Sequence, residues 1–330
     1  MTIPSASLTE VSLQLESSLA GSGTGNVATL RLTSEGLMPA VSTIASEEID
    51  STRNVSDLNK VSAQAEGDIE FEMSADSYDA LLTTVFQSAD GNAGIVEDMG
   101  DNVDHFNAST QQSFKIEKKT SDGSNNLFQL YEGMVPGALE ITAESGSFVT
   151  GTLSFLGSKI NTMDASANLT STVSYETQPF TTVDANTTVL FDASADSVTY
   201  SDYGALPGSA KVTAFSMSFD NGLRAQTQIG STDLAGIGSG RFTTTGTLTV
   251  YATDATLFNN YVNTTKFGLM FQVGNSSDNY RFYLPEVVIT SAEVLAGGND
   301  DDVLMELEWQ AVKTTVGADT FTCKLIKNEA

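Results

Sequence analysis

The chain of 330 residues contains a single cysteine, Cys323, and a single histidine, His105. One cysteine excludes an intramolecular disulfide and argues against a cysteine-ligated zinc site. One histidine means that any Ser-His-Asp arrangement must use His105, which lies in a glycine-rich acidic stretch. We interpret His105 as an exposed loop residue and Cys323 as a packed, unreactive thiol. The sequence therefore predicts a protein that is not an enzyme, with no catalytic residues, no metal site and no cofactor.

Basic residues are also scarce, since 15 Lys and Arg stand against 42 Asp and Glu and give a formal net charge of -27. Such a charge repels the phosphate backbones of DNA and RNA. No window approaches about 20 uncharged apolar residues, and the first residues lack a basic flank followed by an apolar run. We predict no membrane segment, and we expect synthesis in the cytoplasm without a standard export signal.

Motifs for nucleotide, sugar and calcium chemistry are weak. GSGTGN at 21–26 lacks the lysine of a phosphate loop, and GIGSGR at 236–241 does not open a helix, so both indicate turns. A glycosidase carboxylate pair stays open among so many acids, although nothing singles out one pair. Asp101, Asp104 and the run 300–302 offer calcium-binding oxygens, but neither group matches an EF-hand loop. We interpret both groups as ordinary acidic loops.

The stretch 67–82, GDIEFEMSADSYDALL, changes its hydrophobic period half-way along. Ile69, Phe71 and Met73 alternate as in a strand with one buried face. Ser74 or Asp76 then offers an N-cap oxygen for a helix. The helical spacing that follows places four residues on one apolar face: Tyr78, Leu81, Leu82 and Val85. The stretch predicts a half-buried strand that runs directly into a short helix.

The same pattern returns at 246–262, GTLTVYATDATLFNNYV. Leu248 and Val250 alternate, and Thr253 or Asp254 offers a cap. The apolar face of the second helix consists of Leu257, Phe258, Tyr261 and Val262. Later positions correspond as well: Glu140 falls on Glu293, Leu153 on Leu307 and Phe155 on Trp309. This recurrence predicts a duplicated domain.

The spacing between the repeats locates an insertion. It is 246 minus 67, or 179, at the strand-helix unit and 293 minus 140, or 153, in the later hairpins. The difference of 26 falls in the first repeat, where an acidic stretch occupies 87–111. We predict a mainly β chain with a first domain at 1–172, followed by a linker and second domain at 173–330 with a core at about 210–326.

Two segments of the first repeat are predicted to be loops. Residues 34–65 are polar and rich in Ser and Thr, and they are too long for a hairpin turn. Loops of this length in a compact domain are often functional or become ordered on a partner. The acidic insertion at 87–111 mixes aspartates with glycines, and we expect an exposed loop there.

The serial order of several segments resembles the major tail tube proteins of long-tailed bacteriophages with non-contractile tails. The segments are SEEIDSTRN at 46–54, EGDIEFEMSADSYDALL at 66–82, SFKIEKK at 113–119, LFQLYEGMVPG at 127–137 and FLGSK at 155–159. The resemblance covers about 30–159 directly and 211–310 through the internal repeat. It implies two tandem copies of a tail-tube β-sandwich or barrel, each with one short flanking α-helix.

The resemblance also implies an assembly. Tube proteins of this family form rings that stack into a hollow tube, through which DNA passes without specific binding. Two domains in one chain imply a ring of three chains with pseudo-six-fold symmetry, with a ring of six chains as the alternative. The implied partners are further copies of the chain, a tape measure protein, and tail-tip and terminator proteins. The implied location is the virion tail, assembled in the cytoplasm of the bacterial host.

Two groups of site residues follow from the resemblance. A long loop between early strands contacts neighbouring subunits in the family, and the matching residues are Ser46, Glu47, Glu48, Asp50 and Arg53. The outer face of the first strand carries alternating acids, which we predict to line the lumen with the equivalent threonines: Asp68, Glu70, Glu72, Thr247 and Thr249. An ordinary solvated sheet face is the alternative, since a row of like charges needs water beside it.

Other functions remain open at this point. A capsid-decorating or adhesive β-protein would also be acidic, rich in strands and without a catalytic site. A carbohydrate-active enzyme on a β-scaffold is a weaker alternative. The sequence does not decide between three and six chains per ring, nor which strand faces line a channel.

Overall fold

The computed structural model describes residues 3–49, 51, 54–88, 104–171, 173–174, 178–299, 301–316 and 319–329. In this part of the chain, 22 strands accompany two α-helices and three single-turn 3₁₀ helices. The first-repeat strands are β1 (Glu10–Glu16), β2 (Gly23–Thr29), β3 (Ser34–Glu35), β4 (Met38–Ala45), β5 (Leu58–Glu72), β6 (His105–Phe106), β7 (Phe114–Ser121), β8 (Asn126–Glu144), β9 (Thr150–Gly157), β10 (Lys159–Ile160) and β11 (Val173–Ser174). The later strands are β12 (Thr188–Asp192), β13 (Val212–Asp220), β14 (Arg224–Gln226), β15 (Gly236–Gly238), β16 (Thr243–Tyr251), β17 (Phe267–Gly274), β18 (Asp278–Ala296), β19 (Val303–Ala311), β20 (Thr314–Val316), β21 (Asp319–Phe321) and β22 (Lys324–Glu329). The α-helices are α1 (Asp79–Val85) and α2 (Thr256–Asn263), and the 3₁₀ helices are Ala6–Leu8, Tyr200–Asp202 and Pro207–Ser209.

The prediction of a mainly β fold is confirmed. Strand-helix units recur as β5 with α1 and as β16 with α2, and each is followed by strands in the same order: β7, β8, β9 and β17, β18, β19. Gly67 pairs with Phe155 in the first repeat, and Gly246 pairs with Trp309 in the second. The recurrence extends to the register of pairing. The division into domains at 1–172 and 173–330 stays a prediction.

Eight strands form one continuous antiparallel sheet that crosses both repeats, in the order β4, β5, β9, β8, β13, β16, β19, β18. We call it the spanning sheet. The two repeats meet in it where β8 pairs with β13 over seven residue pairs, from Ala138 opposite Asp220 to Glu144 opposite Ala214. Backbone hydrogen bonds therefore connect the halves of the chain directly.

An outer layer covers one face of the spanning sheet. The first half of β8 pairs with β7, which continues to β1 and β2, and the first half of β18 pairs with β17 and β22. The two layers pack through aromatic side chains, since the ring centroids of Phe215 and Phe271 lie 4.6 Å apart. One hydrophobic cluster contains residues of both repeats and both layers. The repeats therefore share a core.

The long strand β8 bends between the layers at Gly133. The φ angle of Gly133 is +65°, a conformation that favours glycine. A Cβ atom at this position would lie 2.2 Å from Ser158 Oγ. Its N–H donates to the buried Glu16 carboxylate at 3.0 Å. The bend gives β8 different partners on either side, which places one strand in two layers.

The strand-helix prediction is confirmed for its buried face. Ile69, Phe71 and Met73 are buried, as is the predicted apolar face of α1. The predicted N-caps of α1 are wrong, because Tyr78 occupies that position without a side-chain cap. In α2, Ala255 is the N-cap residue, yet Asp254 accepts a hydrogen bond from the Thr256 N–H at 2.7 Å. Hydrogen bonds from Thr256 hold the pKa of Asp254 below its usual value.

The predicted loop at 34–65 is wrong, because most of this segment is strand. β4 pairs with β5 from Met38 opposite Glu66 to Ala45 opposite Leu58. We call this hairpin, residues 38–66, the arm. Its side chains are largely exposed on both faces, so the sequence lacks the alternation that one-sided burial produces.

The acidic insertion at 87–111 is described only at its two ends. His105, predicted to be an exposed loop residue, is buried in β6, where it lies opposite Leu325. That prediction is wrong because β22 of the second repeat covers this segment, a contact that local composition does not encode. Residues 89–103 lie outside the described part of the chain.

A buried charged cluster connects α1 to the second repeat. Asp79 and Lys327 are each 1% exposed, and Lys327 Nζ lies 3.0 Å from the Asp79 carboxylate and 2.5 Å from that of Asp76. The Tyr280 hydroxyl donates to Asp79 and accepts from the Asp76 N–H. Burial, with the nearby Asp79 carboxylate, raises the pKa of Tyr280 well above its usual value. The phenol therefore stays protonated and donates throughout the neutral range.

We predict that Lys327→Met destabilises the chain by about 3–5 kcal/mol, because it leaves the Asp79 carboxylate buried without its cation. Urea unfolding measures the change. The control is Lys119→Met, which breaks the Lys119–Glu10 pair of 2.9 Å at the surface and should cost about 0–1 kcal/mol. Equal losses in the two variants would contradict a structural role for the buried cluster.

The buried carboxylate of Glu132 lies between two lysines beside the β8 bend. Its carboxylate oxygens are 3.0 Å from Lys115 Nζ and 2.6 Å from Lys159 Nζ. Burial alone would raise the pKa of Glu132, but the hydrogen bonds and charges of both lysines outweigh it and lower the pKa below 4.5. The charged form is therefore favoured by folding. Its contribution to stability is present above the unfolded pKa and is lost as pH falls through the folded pKa.

We predict that Glu132→Gln lowers the free energy of unfolding at pH 7, and that the difference from the unaltered chain shrinks as pH falls below about 4.5. Chemical unfolding at several pH values measures it. Glu10→Gln, which removes the exposed partner of Lys119, is the matched control for general charge effects. A difference that stays constant down to pH 3 would show that the lysines do not favour the charged form of Glu132.

Candidate assembly surfaces

The spanning sheet has one buried face and one polar face. A single cross-strand row on the polar face passes from β5 to β18 through Glu72, Thr150, Thr142, Ser216, Thr247, Glu308 and Ser291. Hydroxyl pairs connect neighbouring strands in this row, with 2.7 Å between Thr142 and Thr150 and 2.7 Å between Ser216 and Thr247. The row crosses the junction of the two repeats without interruption.

All five residues predicted to line a lumen lie on this polar face. Asp68, Glu70 and Glu72 alternate on β5, and the cross-strand pairings bring Thr247 and Thr249 of β16 to the same side. Asp68, Glu70 and Thr247 are exposed, while Glu72 and Thr249 are half-buried. The structure therefore brings the predicted set together on one surface. Whether that surface lines a lumen stays a prediction.

Six acids of other strands share this face, and sequence reasoning did not assign them to it. With the three acids of β5 they form what we call the acidic face: Asp68, Glu70, Glu72, Glu140, Glu144, Asp220, Glu293, Glu306 and Glu308. Glu293 lies directly opposite Glu306, an arrangement of like charges that costs stability. No Lys or Arg occurs in the described cross-strand rows that contain these acids. For two of these acids the sequence did carry a signal of their side of the strand, because Glu306 and Glu308 alternate with the buried Met305, Leu307 and Trp309.

The spanning sheet ends in two open edges. In the described part of the chain no strand pairs with the outer edge of β4, or with the second edge of β18 beyond residue 287. Val294 on β18 is 47% exposed, whereas its counterpart in the first repeat, Ile141, is fully buried against β13. Unpaired edges of this kind are templates for strand addition.

Repeat equivalence relates the two open edges to the β8–β13 junction. In the second repeat Gly246 pairs with Met217 of β13. In the first repeat the counterpart of Gly246 is Gly67, and the segment 34–40 lies beside it along β5. The segment 34–40 is therefore the counterpart of β13. Residues 291–297 are likewise the counterpart of 138–144, because both follow matching bulges in β18 and β8. The described residues therefore contain one joined junction and the two unjoined halves of a second.

The predicted inter-subunit residues lie at the tip of the arm where they are described. Ser46, Glu47 and Glu48 are exposed, and the Glu48 N–H donates to Ser46 Oγ at 3.3 Å. Asp50 and Arg53 lie outside the described residues. The arm also exposes the apolar side chains of Met38, Val41 and Ile44. The same hairpin also exposes Ile49, Val55, Leu58 and Val61. Isolated hydrophobic residues are ordinary at surfaces, but seven on one hairpin favour a contact with a partner.

The remaining chemically notable residues have structural surroundings. Cys323 is buried, and burial raises the pKa of its thiol well above the usual value, so the thiol is unreactive at neutral pH. Trp309 packs in the core at 5.8 Å from the Phe215 ring. Among the described residues, no group of three His, Cys, Asp or Glu side chains is arranged to hold a metal ion. Asp101 and Asp300, two of the candidate calcium ligands in the sequence, lie outside the described residues.

Neither α-helix of the described chain has the length and apolar character needed to cross a membrane. A search of curated proteins found no match to the chain. The sequence model of the phage tail tube protein family matches residues 7–311. This match covers most of the chain and includes both strand-helix units, both open edges and the acidic face. The chain therefore belongs to the phage tail tube protein family and is a structural component of the virion tail.

Proposed function

We propose that three copies of the chain close a ring, and that rings stack into the hollow tail tube that conducts phage DNA to the host. The observation that carries this proposal is the β8–β13 junction, where two tube repeats are already joined edge to edge. A ring needs the same heterologous contact to repeat until it closes. The inner wall would then be a barrel of 24 strands, three times the eight strands of the spanning sheet.

The joined junction supplies a register for the contact between chains. Ile141 lies opposite Met217 within the chain. The corresponding contact sets Val294 of one copy opposite Leu37 of the next. Leu37 is buried at the edge, and its N–H donates to its own Glu35 carboxylate at 3.2 Å. In the single chain, the Glu35 side chain accepts the hydrogen bond from the Leu37 N–H at this edge. In the ring, a strand of the neighbouring copy takes the place of Glu35.

Three chains fit this arrangement better than six. Tube proteins resembled by this chain build a ring from six single domains, and each chain here supplies two repeats. A ring of six chains would contain twelve repeats and a barrel of about twice the circumference. In a ring of three chains, the unequal loops of the two repeats make the symmetry three-fold in detail and six-fold only in the strand order.

The acidic face is suited to the lumen. The opposite face of the spanning sheet packs against the outer layer, so closing the sheet into a barrel places the acidic face on the inside. A wall of like charge repels the DNA backbone and prevents the adsorption that basic side chains would cause. At physiological salt, screening by ions limits this repulsion to within about 8 Å of the wall.

The arm is suited to contacts between subunits. It extends the sheet edge at which the next copy joins, and its tip carries Ser46, Glu47 and Glu48 with Asp50 and Arg53 beyond them. We propose that the arm reaches a neighbouring ring. A tape measure protein inside the growing tube, and tail-tip and terminator proteins at its ends, are the remaining proposed partners, with assembly in the host cytoplasm.

Negative-stain microscopy of the purified protein tests the proposal. We expect hollow tubes or stacked rings with a regular axial repeat and three-fold symmetry in end views. Particles that stay monomeric at all concentrations, or that carry hydrolytic activity towards carbohydrates, would contradict it. In micrographs of the parent virion, copies bound to the capsid would favour a decorating protein instead.

We predict that Val294→Asp abolishes rings while leaving the single chain folded. Val294 is exposed in the single chain but would be buried opposite Leu37 of the next copy. Sedimentation velocity measures assembly, and thermal unfolding should shift by no more than about 0.5 kcal/mol, as for other surface substitutions. Ile3→Asp, at an exposed residue outside the spanning sheet, is the control. Normal rings from Val294→Asp would show that this edge stays open.

We predict that replacing Asp68, Glu70 and Glu72 together by lysine slows or arrests DNA ejection while tubes still form. Lysines in the lumen would bind phosphates, whose release depends on salt. Ejection from virions that contain the variant can be followed by dye binding to released DNA. A matched triple variant carries Asp68→Asn, Glu70→Gln and Glu72→Gln. It separates the effect of losing the negative charges from the effect of adding positive charges. Unchanged ejection with the three lysines would remove the assignment of this face to the lumen.

A further inference from the structure

The two flanking helices differ in what covers them. In α1 the apolar residues near its end are buried, and Val85 and Phe86 are fully so. In α2 only Leu257 of the predicted apolar face is buried. Phe258, Tyr261 and Val262 are 37%, 36% and 62% exposed, and the first two rings form an edge-on pair with centroids 6.2 Å apart. We call these three residues the open helix face.

The second repeat of the same chain covers the end of α1. Asn221, directly after β13, donates its side-chain amide to the Val85 carbonyl at 2.9 Å. The Phe86 ring lies 5.0 Å from the Phe219 ring and 5.9 Å from the Phe242 ring. The strand that crosses the repeat junction therefore also covers the helix of the preceding repeat.

The first repeat contains the counterparts of these covering residues. Phe219 lies opposite Thr244 in β16, and the matching position of β5 is Ala65, which lies opposite Pro39. By the same register Asn221 corresponds to Val41, opposite Ala63. Pro39 and Val41 are exposed, although Ala63 and Ala65 beside them are buried. Their side of the arm therefore continues the buried side of the sheet, and the described residues leave Pro39 and Val41 exposed there.

We propose that the open helix face of one copy binds Pro39 and Val41 at the base of the arm of the next copy. This inference rests on the proposed ring and adds a contact to it beyond strand pairing. Both surfaces are apolar and exposed, and α2 packs against β18, the strand at the open edge. With the spacing of 179, the counterparts of Val85 and Phe86 are Thr264 and Thr265, which directly follow α2 and its open helix face. Strand addition supplies backbone hydrogen bonds, and the helix contact supplies an aromatic and aliphatic anchor.

A charge exchange between chains tests the contact. Val262→Asp alone and Val41→Lys alone should each raise the protein concentration needed for ring assembly about tenfold or more, because each places a lone charge in an apolar contact. The double variant should recover most of the assembly, since the carboxylate and the ammonium then face each other across the interface. Sedimentation velocity measures assembly, and thermal unfolding of the single chain should be unchanged in all three variants.

The outcomes separate the contact from the ring itself. Normal rings from both single variants would overturn the helix contact while leaving the tube function intact. Loss of rings in both single variants without recovery in the double variant would overturn the pairing of Val262 with Val41, because another surface then covers the helix. Failure of the unaltered chain to form rings would overturn the proposed function and this contact together. Ile3→Asp serves again as the control at an unrelated exposed residue.

Discussion

The hydrogen-bonded ladder between β8 and β13 is the interaction on which the rest of the structure depends. It converts two four-stranded halves into one spanning sheet, and it brings the outer layers of both repeats over a single hydrophobic core. Without it, each half would expose a strand edge and an apolar flank. Because the two partners are in one chain, the ladder forms at a high effective concentration. It is also the pattern for the contact that we propose between copies.

The sequence predicts features that follow from one-sided burial. Ile69, Phe71 and Met73 alternate because one face of β5 is buried and the other is wet, and the same period returns at Leu248 and Val250. Hence the repeated strand-helix unit, the mainly β class and five residues of the polar face were predictable. The arm was not, because the side chains of β4 and of the first residues of β5 are largely exposed on both faces and leave too little alternation.

Partners that are distant in sequence were also beyond prediction. Nothing local indicates that β13 would pair with β8, that β22 would cover His105, or that Lys327 would lie between Asp76 and Asp79. The acids of β8, β18 and β19 joined those of β5 only through the cross-strand register. The local sequence pattern determines which side of a strand is exposed to solvent, and the pairing of strands in the tertiary structure determines which exposed sides form one surface.

If the proposed contact between copies forms, the unequal helices solve one interface in two ways. Within the chain, Asp79 of α1 pairs with the buried Lys327 and accepts a hydrogen bond from Tyr280, so folding itself brings the two opposite charges together. A contact between copies must begin from surfaces that are wet in the single chain, so burying lone charges there would impose a desolvation cost on every assembly step. Apolar residues such as those of α2 avoid that cost. The repeats have therefore kept a common strand register while their helices differ in chemistry, as expected if one junction forms by folding and the other by association.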